Sequence, residues 1–171
     1  MKIDLRFTEE MINELKALKG KTLKSYDHYP WPKEGSNLGF MRLNFAKFAI
    51  DLESDFVPIT VTGYNGEPFA DESTCYMCKR VKVGESHVIP KTWKMRRYLV
   101  GETVSEVMVV RDTVTESNGD VFLLDEAIVL KTEESTITIS KGCDVDSSLF
   151  IRKSNRIYFQ RRISKIKRRN F

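Results

Sequence analysis

Cys75-Tyr76-Met77-Cys78 places two thiols at the spacing of half a zinc site. A closed zinc site needs four ligands, usually from a second such pair or from two histidines at short spacing. The other candidates are Cys143, His28 and His87, and no two of them share a paired spacing. On a strand, residues three apart also face opposite sides and cannot hold one ion. No metal and no cofactor is expected. A thioredoxin-type role is not expected either, because the two cysteines lack a strand–helix–strand setting.

Asp125 and Glu126 interrupt the apolar run Val121–Leu130. Acids inside a buried strand can form a pair with shifted pKa values. Neighbours on a strand point to opposite faces, however, so the simpler reading is a bulge or an exposed edge. His87 sits in a polar stretch with no visible partner and reads as surface. There is no Gly-rich phosphate loop, no GxSxG and no HExxH element. No catalytic residue is assigned. An enzyme would have to assemble its site from distant residues, in a cleft between the two halves of the chain.

Two segments carry binding chemistry instead. Ser25–Pro32 gathers Tyr26, His28, Tyr29 and Trp31 with two prolines. Read as a loop, it is stiffened by the prolines, and its rings offer large contact area at low entropic cost. The simpler alternative is that the rings cover the edge of the core beside the loop at 33–37. The second segment is the C-terminus. Net charge is +4, but residues 156–171 hold seven basic side chains and no acid, leaving twenty-one basic against twenty-four acidic residues in 1–155. The basicity therefore belongs to the tail. Arg161, Arg162, Lys165, Lys167, Arg168 and Arg169 could neutralise phosphates while Tyr158 stacks on bases. The same charges could meet an anionic membrane surface, although Ile163 and Ile166 supply little apolar depth.

The elements that must position these groups are mostly strands. Lys2–Phe7 alternates charged and apolar residues. Thr8 then offers an N-cap hydroxyl, with Glu9 and Glu10 in a first turn where the helix dipole favours acids. Met11, Ile12, Leu15 and Leu18 follow at helical spacing, and Gly20 suits the stop. A shorter second helix is expected from Pro90 to Leu99, with Gly101 after its end. Strands are expected at Leu23–Tyr26, Phe56–Thr62, Thr74–Val83, Ser135–Ser140 and Arg156–Ile163. Val104–Thr115 and Val121–Lys131 should form a hairpin around Ser117-Asn118-Gly119-Asp120, whose Asn and Gly tolerate positive φ. Phe40–Leu52 fits a helical stripe through Met41, Phe45, Phe48 and Leu52, but its counterpart Val121–Leu130 does not, so it is read as a strand.

That counterpart comes from an apparent internal repeat. At an offset of 81, Gly20 meets Gly101, Leu43 meets Leu124, Ala46 meets Ala127 and Glu53-Ser54 meets Glu134-Ser135. Ile59-Thr60 falls on Ile137-Thr138 after a three-residue deletion. The expected fold is α+β and strand-dominated. Two tandem units, 1–85 and 86–171, each strand–helix–four strands, pack as one pseudo-symmetric antiparallel barrel or two-sheet domain.

With 171 residues, 41% of them hydrophobic, the chain can bury a core without staples. No run approaches 18 apolar residues, so no transmembrane segment is expected. Acids where a leader needs apolar residues, and three cysteines, point to a reducing cytoplasm. The expected function is that of a non-catalytic binding protein meeting a protein partner or small ligand, with nucleic acid at the tail as the alternative.

Overall fold

A computed structural model describes residues 1–30, 36–82, 95–141 and 149–155. Its nine strands are β1 (Lys2–Leu5), β2 (Thr22–Pro30), β3 (Ser36–Asn44), β4 (Phe48–Thr62), β5 (Pro68–Lys82), β6 (Arg96–Thr115), β7 (Val121–Thr132), β8 (Ser135–Lys141) and β9 (Leu149–Asn155). One helix, α1 (Glu9–Lys16), lies between β1 and β2. At eight residues it is far too short to cross a membrane, and no helix among the described residues is long and apolar enough to do so. The strands run β2-β6-β7-β8-β9-β3-β4-β5 in one sheet, antiparallel except that β1 pairs with β7 in parallel. The sheet curls until β2 also pairs with β3. It is not a closed barrel, because β4 and β5 leave the curl as a long two-stranded ribbon that ends in the edge strand β5.

β7 is the hub. It is bonded along β6 on one side and shares its other side between β1, at Val121–Leu124, and β8, at Ala127–Lys131. Ile128 faces Ile139 and Leu130 faces Ile137, and all four are fully buried. Each such side chain contributes about 1.5–3 kcal/mol by leaving water. Leu15 and Leu18 bring the helix segment onto the same core, with Leu23, Met41, Leu43, Ile50 and Leu52. The helix starts where the sequence says. The Thr8 hydroxyl accepts from the Met11 N–H, and Glu9 and Glu10 occupy the first turn. Glu14 accepts from Arg80 Nε at 2.7 Å, and that guanidinium lies 4.1 Å above the Phe48 ring, tying α1 to the ribbon.

Several expectations are corrected. Phe40–Leu52 is neither one strand nor a helix: β3 ends at Asn44, a tight turn follows, and β4 begins at Phe48, with Phe45 N–H donating to Phe48 C=O. The helical stripe arises because the turn returns the same apolar face to the core on two strands. Ser25–Pro30 is strand, not loop, since β2 runs through to Pro30. Leu99 and Gly101 lie in β6, not at a helix end. Val100 and Gly101 together oppose the single residue Lys24, a bulge, and Gly101 takes φ +73° there. Residues 83–94 and the strand expected at Arg156–Ile163 lie outside the described residues.

The hairpin around Ser117–Asp120 forms as read. Positions matched at the offset of 81 fall partly in corresponding strands, Leu43 in β3 and Leu124 in β7 being each in the second strand of the antiparallel runs β2–β5 and β6–β9, and partly in different places. Ala46 lies in a turn and Ala127 in mid-strand, while Gly20 follows a helix and Gly101 sits in a bulge. The two halves are also interleaved in the sheet, through β1–β7, β2–β6 and β3–β9.

A row of alternating charge crosses the sheet. Register puts Arg97 (β6) beside Asp27 (β2), Asp27 beside Arg42 (β3), Arg42 beside Asp51 (β4) and Asp51 beside Lys79 (β5). Arg42 binds Asp51 with both prongs, Nε to Oδ1 at 2.6 Å and the terminal nitrogen to Oδ2 at 2.8 Å, and both residues are buried. Removing one partner of a buried pair strands the other charge. Asp51→Ala should lower unfolding stability by about 3–5 kcal/mol, whereas the double replacement Arg42→Met with Asp51→Leu should recover most of it. Urea unfolding midpoints at constant m-value check both.

Candidate functional site

Strand alternation splits the expected aromatic site between two faces of β2. Tyr26 and His28 point to the core side, Asp27 and Tyr29 to the other, and all four are buried. On the core side Tyr26 lies opposite Tyr98 of β6, and His28 lies opposite Arg96. The Tyr98 ring stacks on both, with centroids 5.1 Å from Tyr26 and 5.1 Å from His28 and near-parallel planes. Tyr98 is 37% exposed, and its neighbour Leu99 is 82% exposed. On the far face Asp27 accepts two hydrogen bonds from Arg97, each 2.8 Å, and Tyr29 packs on Phe40.

The electrostatics follow from this placement. Burial pushes the His28 imidazole below its ordinary pKa, so it is neutral near pH 7. Its Nδ1 is buried without a hydrogen-bond partner in the structure. Burial pushes the Asp27 carboxyl up, but hydrogen bonds from Arg97 and Asn44 outweigh that and hold it below the usual range. The arrangement can present one ordered aromatic face, flanked by Arg96, to something outside the sheet. Trp31, the fourth aromatic of the expected site, lies outside the described residues. So does the whole basic set, Tyr158, Arg161, Arg162, Lys165, Lys167, Arg168 and Arg169.

The other candidates resolve into structural roles. Cys75 and Cys78 both lie on β5 and face apart: Cys78 enters the main core, while Cys75 packs against a second apolar cluster. Burial pushes the Cys78 thiol up to about 12, the opposite of a reactive thiolate. Among the described residues no three metal-ligating side chains come together; Cys143 and His87 lie outside them. Glu126 is the extra residue of a bulge between Ala127 and Asp125, which is why the apolar alternation breaks there. Asp125 is fully buried and accepts from the Phe7 N–H at 2.7 Å and from Arg111 Nε at 3.1 Å, holding the β1–α1 connection onto β7.

Three features were not anticipated. The first is Tyr98 with Arg96 and Arg97, hidden by the expectation of a helix over that stretch. The second is the turn Gly63–Glu67, whose Asn65-Gly66 is the same signal as Asn118-Gly119 and makes the same bonds. The two tips meet: Asp120 accepts from the Thr62 N–H at 2.6 Å and hydroxyl at 2.7 Å and from the Met1 ammonium, while Asn118 donates to Thr62 C=O at 2.7 Å. The ammonium and Thr62 hold the Asp120 carboxyl down at about 2. Beside the tips, Tyr64, Phe69 and Phe122 with Asp71 and Glu116 line a hollow of about 320 Å³. A larger opening of about 600 Å³ separates β1 from β4.

The third is Glu102, buried near one end of the curl. It accepts from Lys153 Nζ at 2.6 Å, from Ser135 Oγ at 2.7 Å and from the Thr132 hydroxyl. In the sequence it was only one more charge, between the expected helix stop at Gly101 and the strand expected from Val104.

No known protein family matches the chain, and neither a curated protein nor a solved structure shows significant similarity to it.

Burial raises the Glu102 carboxyl, but its hydrogen bonds from Lys153, Thr132 and Ser135 outweigh this and bring it to about 2. A depressed folded-state pKa means stability that is present above the unfolded value, near 4.3–4.5, and lost as pH falls towards 2. The acid side of the stability–pH curve should therefore flatten between about pH 4.5 and 2 in Glu102→Gln. Thermal melts of wild type and variant across that range provide the check.

Proposed function

We propose that the protein is a non-catalytic binding protein, and that it meets a protein partner or small ligand over the β2–β6 surface around Tyr98. The observation that carries this reading is the stack itself. Tyr98 is stacked against Tyr26 and His28 yet keeps 37% of its surface open. A ring already fixed in place loses little entropy when a partner covers it. The buried carboxylates support the same reading, because Asp27, Asp51, Glu102 and Asp125 are each engaged by named structural partners rather than facing a substrate-sized space. Trp31 lies outside the described residues and is proposed, from the sequence alone, to contribute to binding.

Tyr98→Ala, with a melting temperature close to wild type, should weaken partner capture by the immobilised protein about tenfold or more. Trp31→Ala should do the same. Unchanged capture by both variants removes this surface from the function.

A second reading, nucleic-acid binding, is favoured by one observation: seven basic side chains and no acid in residues 156–171. Binding of duplex and single-stranded oligonucleotides should then weaken steeply with salt, by about 0.9 in log–log slope per phosphate neutralised on duplex. Deletion of residues 164–171 should flatten that slope. A salt-independent or truncation-independent signal would eliminate the reading.

A further inference from the structure

The opening between β1 and β4 is a gap in the sheet with pairing groups on both sides. β1 is bonded to β7 along one edge only, and β4 beyond Glu53 is bonded to β5 along one edge only. Among the described residues neither has a second strand neighbour there. The directions of the backbone groups follow from bonds at the strand ends. Val121 N–H donates to Met1 C=O, so Met1 and Ile3 turn towards β7, and the N–H and C=O of Lys2 and Asp4 turn away from it. On the ribbon, Gly63 N–H donates to Glu67 C=O while Thr62 N–H reaches Asp120. The same alternation turns the Thr60 N–H and C=O and the Pro58 C=O away from β5. The two sets of groups look into one space of about 600 Å³, lined by Met1–Arg6, Thr8, Met11, Val57–Thr60 and Cys75.

The floor of that space is apolar. Ile3, Leu5 and Val61 form a buried cluster, with Val57, Ile59 and Cys75 packed against it and only half-buried. A strand residue inside a packed sheet takes up about 160 Å³, from a 3.3 Å rise, a 4.8 Å strand spacing and a 10 Å thickness. The gap thus has room for about four extended residues. Its rim is charged. Arg6 is committed to Asp4 through two side-chain hydrogen bonds, which leaves Lys2 as the rim cation facing a newcomer.

We propose that this gap is a binding site for an extended segment of a partner protein. Four or so residues add as a strand between β1 and β4, with alternate apolar side chains on Ile3, Leu5, Val57 and Ile59 and an acidic side chain near Lys2. Backbone pairing to Lys2 and Asp4 supplies the common affinity, and the apolar floor selects the sequence. Pro58 lacks an N–H and so removes one donor from the β4 side, which makes β1 the principal pairing edge. The proposal is independent of the Tyr98 surface and involves none of its residues.

The test uses the full chain, immobilised, and a phage-displayed library of eight randomised residues as probe. Enriched sequences should alternate apolar and polar residues over four or five positions and carry an acid. A synthetic peptide of the enriched sequence should slow amide hydrogen exchange at Lys2 and Asp4 at least tenfold. Ile59→Asp should weaken its binding at least tenfold with the melting temperature retained, while Tyr98→Ala leaves it unchanged. Val57→Ser serves the same purpose if Ile59→Asp does not fold. The proposal is overturned if no alternating sequence is enriched, or if the enriched peptide leaves Lys2 and Asp4 exchange unaltered. It is equally overturned if those amides are already protected in dilute free protein, or become protected with protein concentration alone; the gap would then belong to this chain itself or to a second copy.

Discussion

The row from Arg97 through Asp27 and Arg42 to Asp51 is the constraint on which the curl of the sheet depends. It crosses β6, β2, β3 and β4 at one register position, and its β2–β6 step is one of the three pairings, with β1–β7 and β3–β9, that join the two halves of the chain. Slipping β3 by one residue would drive the Arg42 guanidinium into the face occupied by Met41 and Leu43, and would expose those two side chains. Desolvating Arg42 and Asp51 offsets much of their attraction, so the pair adds little net stability. Its contribution is to make every other register far worse. Arg97, 65% exposed at its side chain, ends the row at solvent.

The sequence was most legible where one rule acted alone. Thr8 with Glu9 and Glu10 fixes the start of α1, and Asn118-Gly119 fixes the β6–β7 turn, because capping and positive φ are local matters. It was least legible where two local signals overlap. Phe40–Leu52 carries a helical stripe because a three-residue turn between antiparallel strands shifts the phase of the apolar alternation. Leu99 and Gly101 resemble a helix and its stop because a left-handed glycine serves a bulge as well as a helix end. Tyr26–Tyr29 looked like a loop because two prolines follow within three residues, yet Pro30 sits past a register shift after His28, where a strand tolerates proline.

What no local rule could show is which residues meet across the sheet. Asp27, Arg42, Asp51 and Arg97 are scattered over seventy positions, and only the register makes them a row. Tyr98 stacks on Tyr26 for the same reason. The expected repeat also rested on order along the chain. Of the pairs it matched, Ala46 and Ala127 fall in a turn and in mid-strand, whereas Leu43 and Leu124 both lie on strands, β3 and β7.

Unequal strand length explains why the sheet has a gap at all. β7 has twelve residues, and β8 covers only its C-terminal part, so its N-terminal part needs another partner and takes β1. β1 has four residues and arrives in parallel, which uses the groups of Ile3 and turns those of Lys2 and Asp4 outward. On the far side β4 runs on past its pairing with β3, and the Asp120–Thr62 contact draws its end back towards the start of β7. The two edges are thereby held face to face at the stapled end and apart elsewhere. Sheets usually blunt such edges with charge, proline or a covering segment. Here Pro58 blunts β4 at one position, while β1 keeps its donors and acceptors above an apolar floor, so the edge left available is also the one nearest to the hub of the fold.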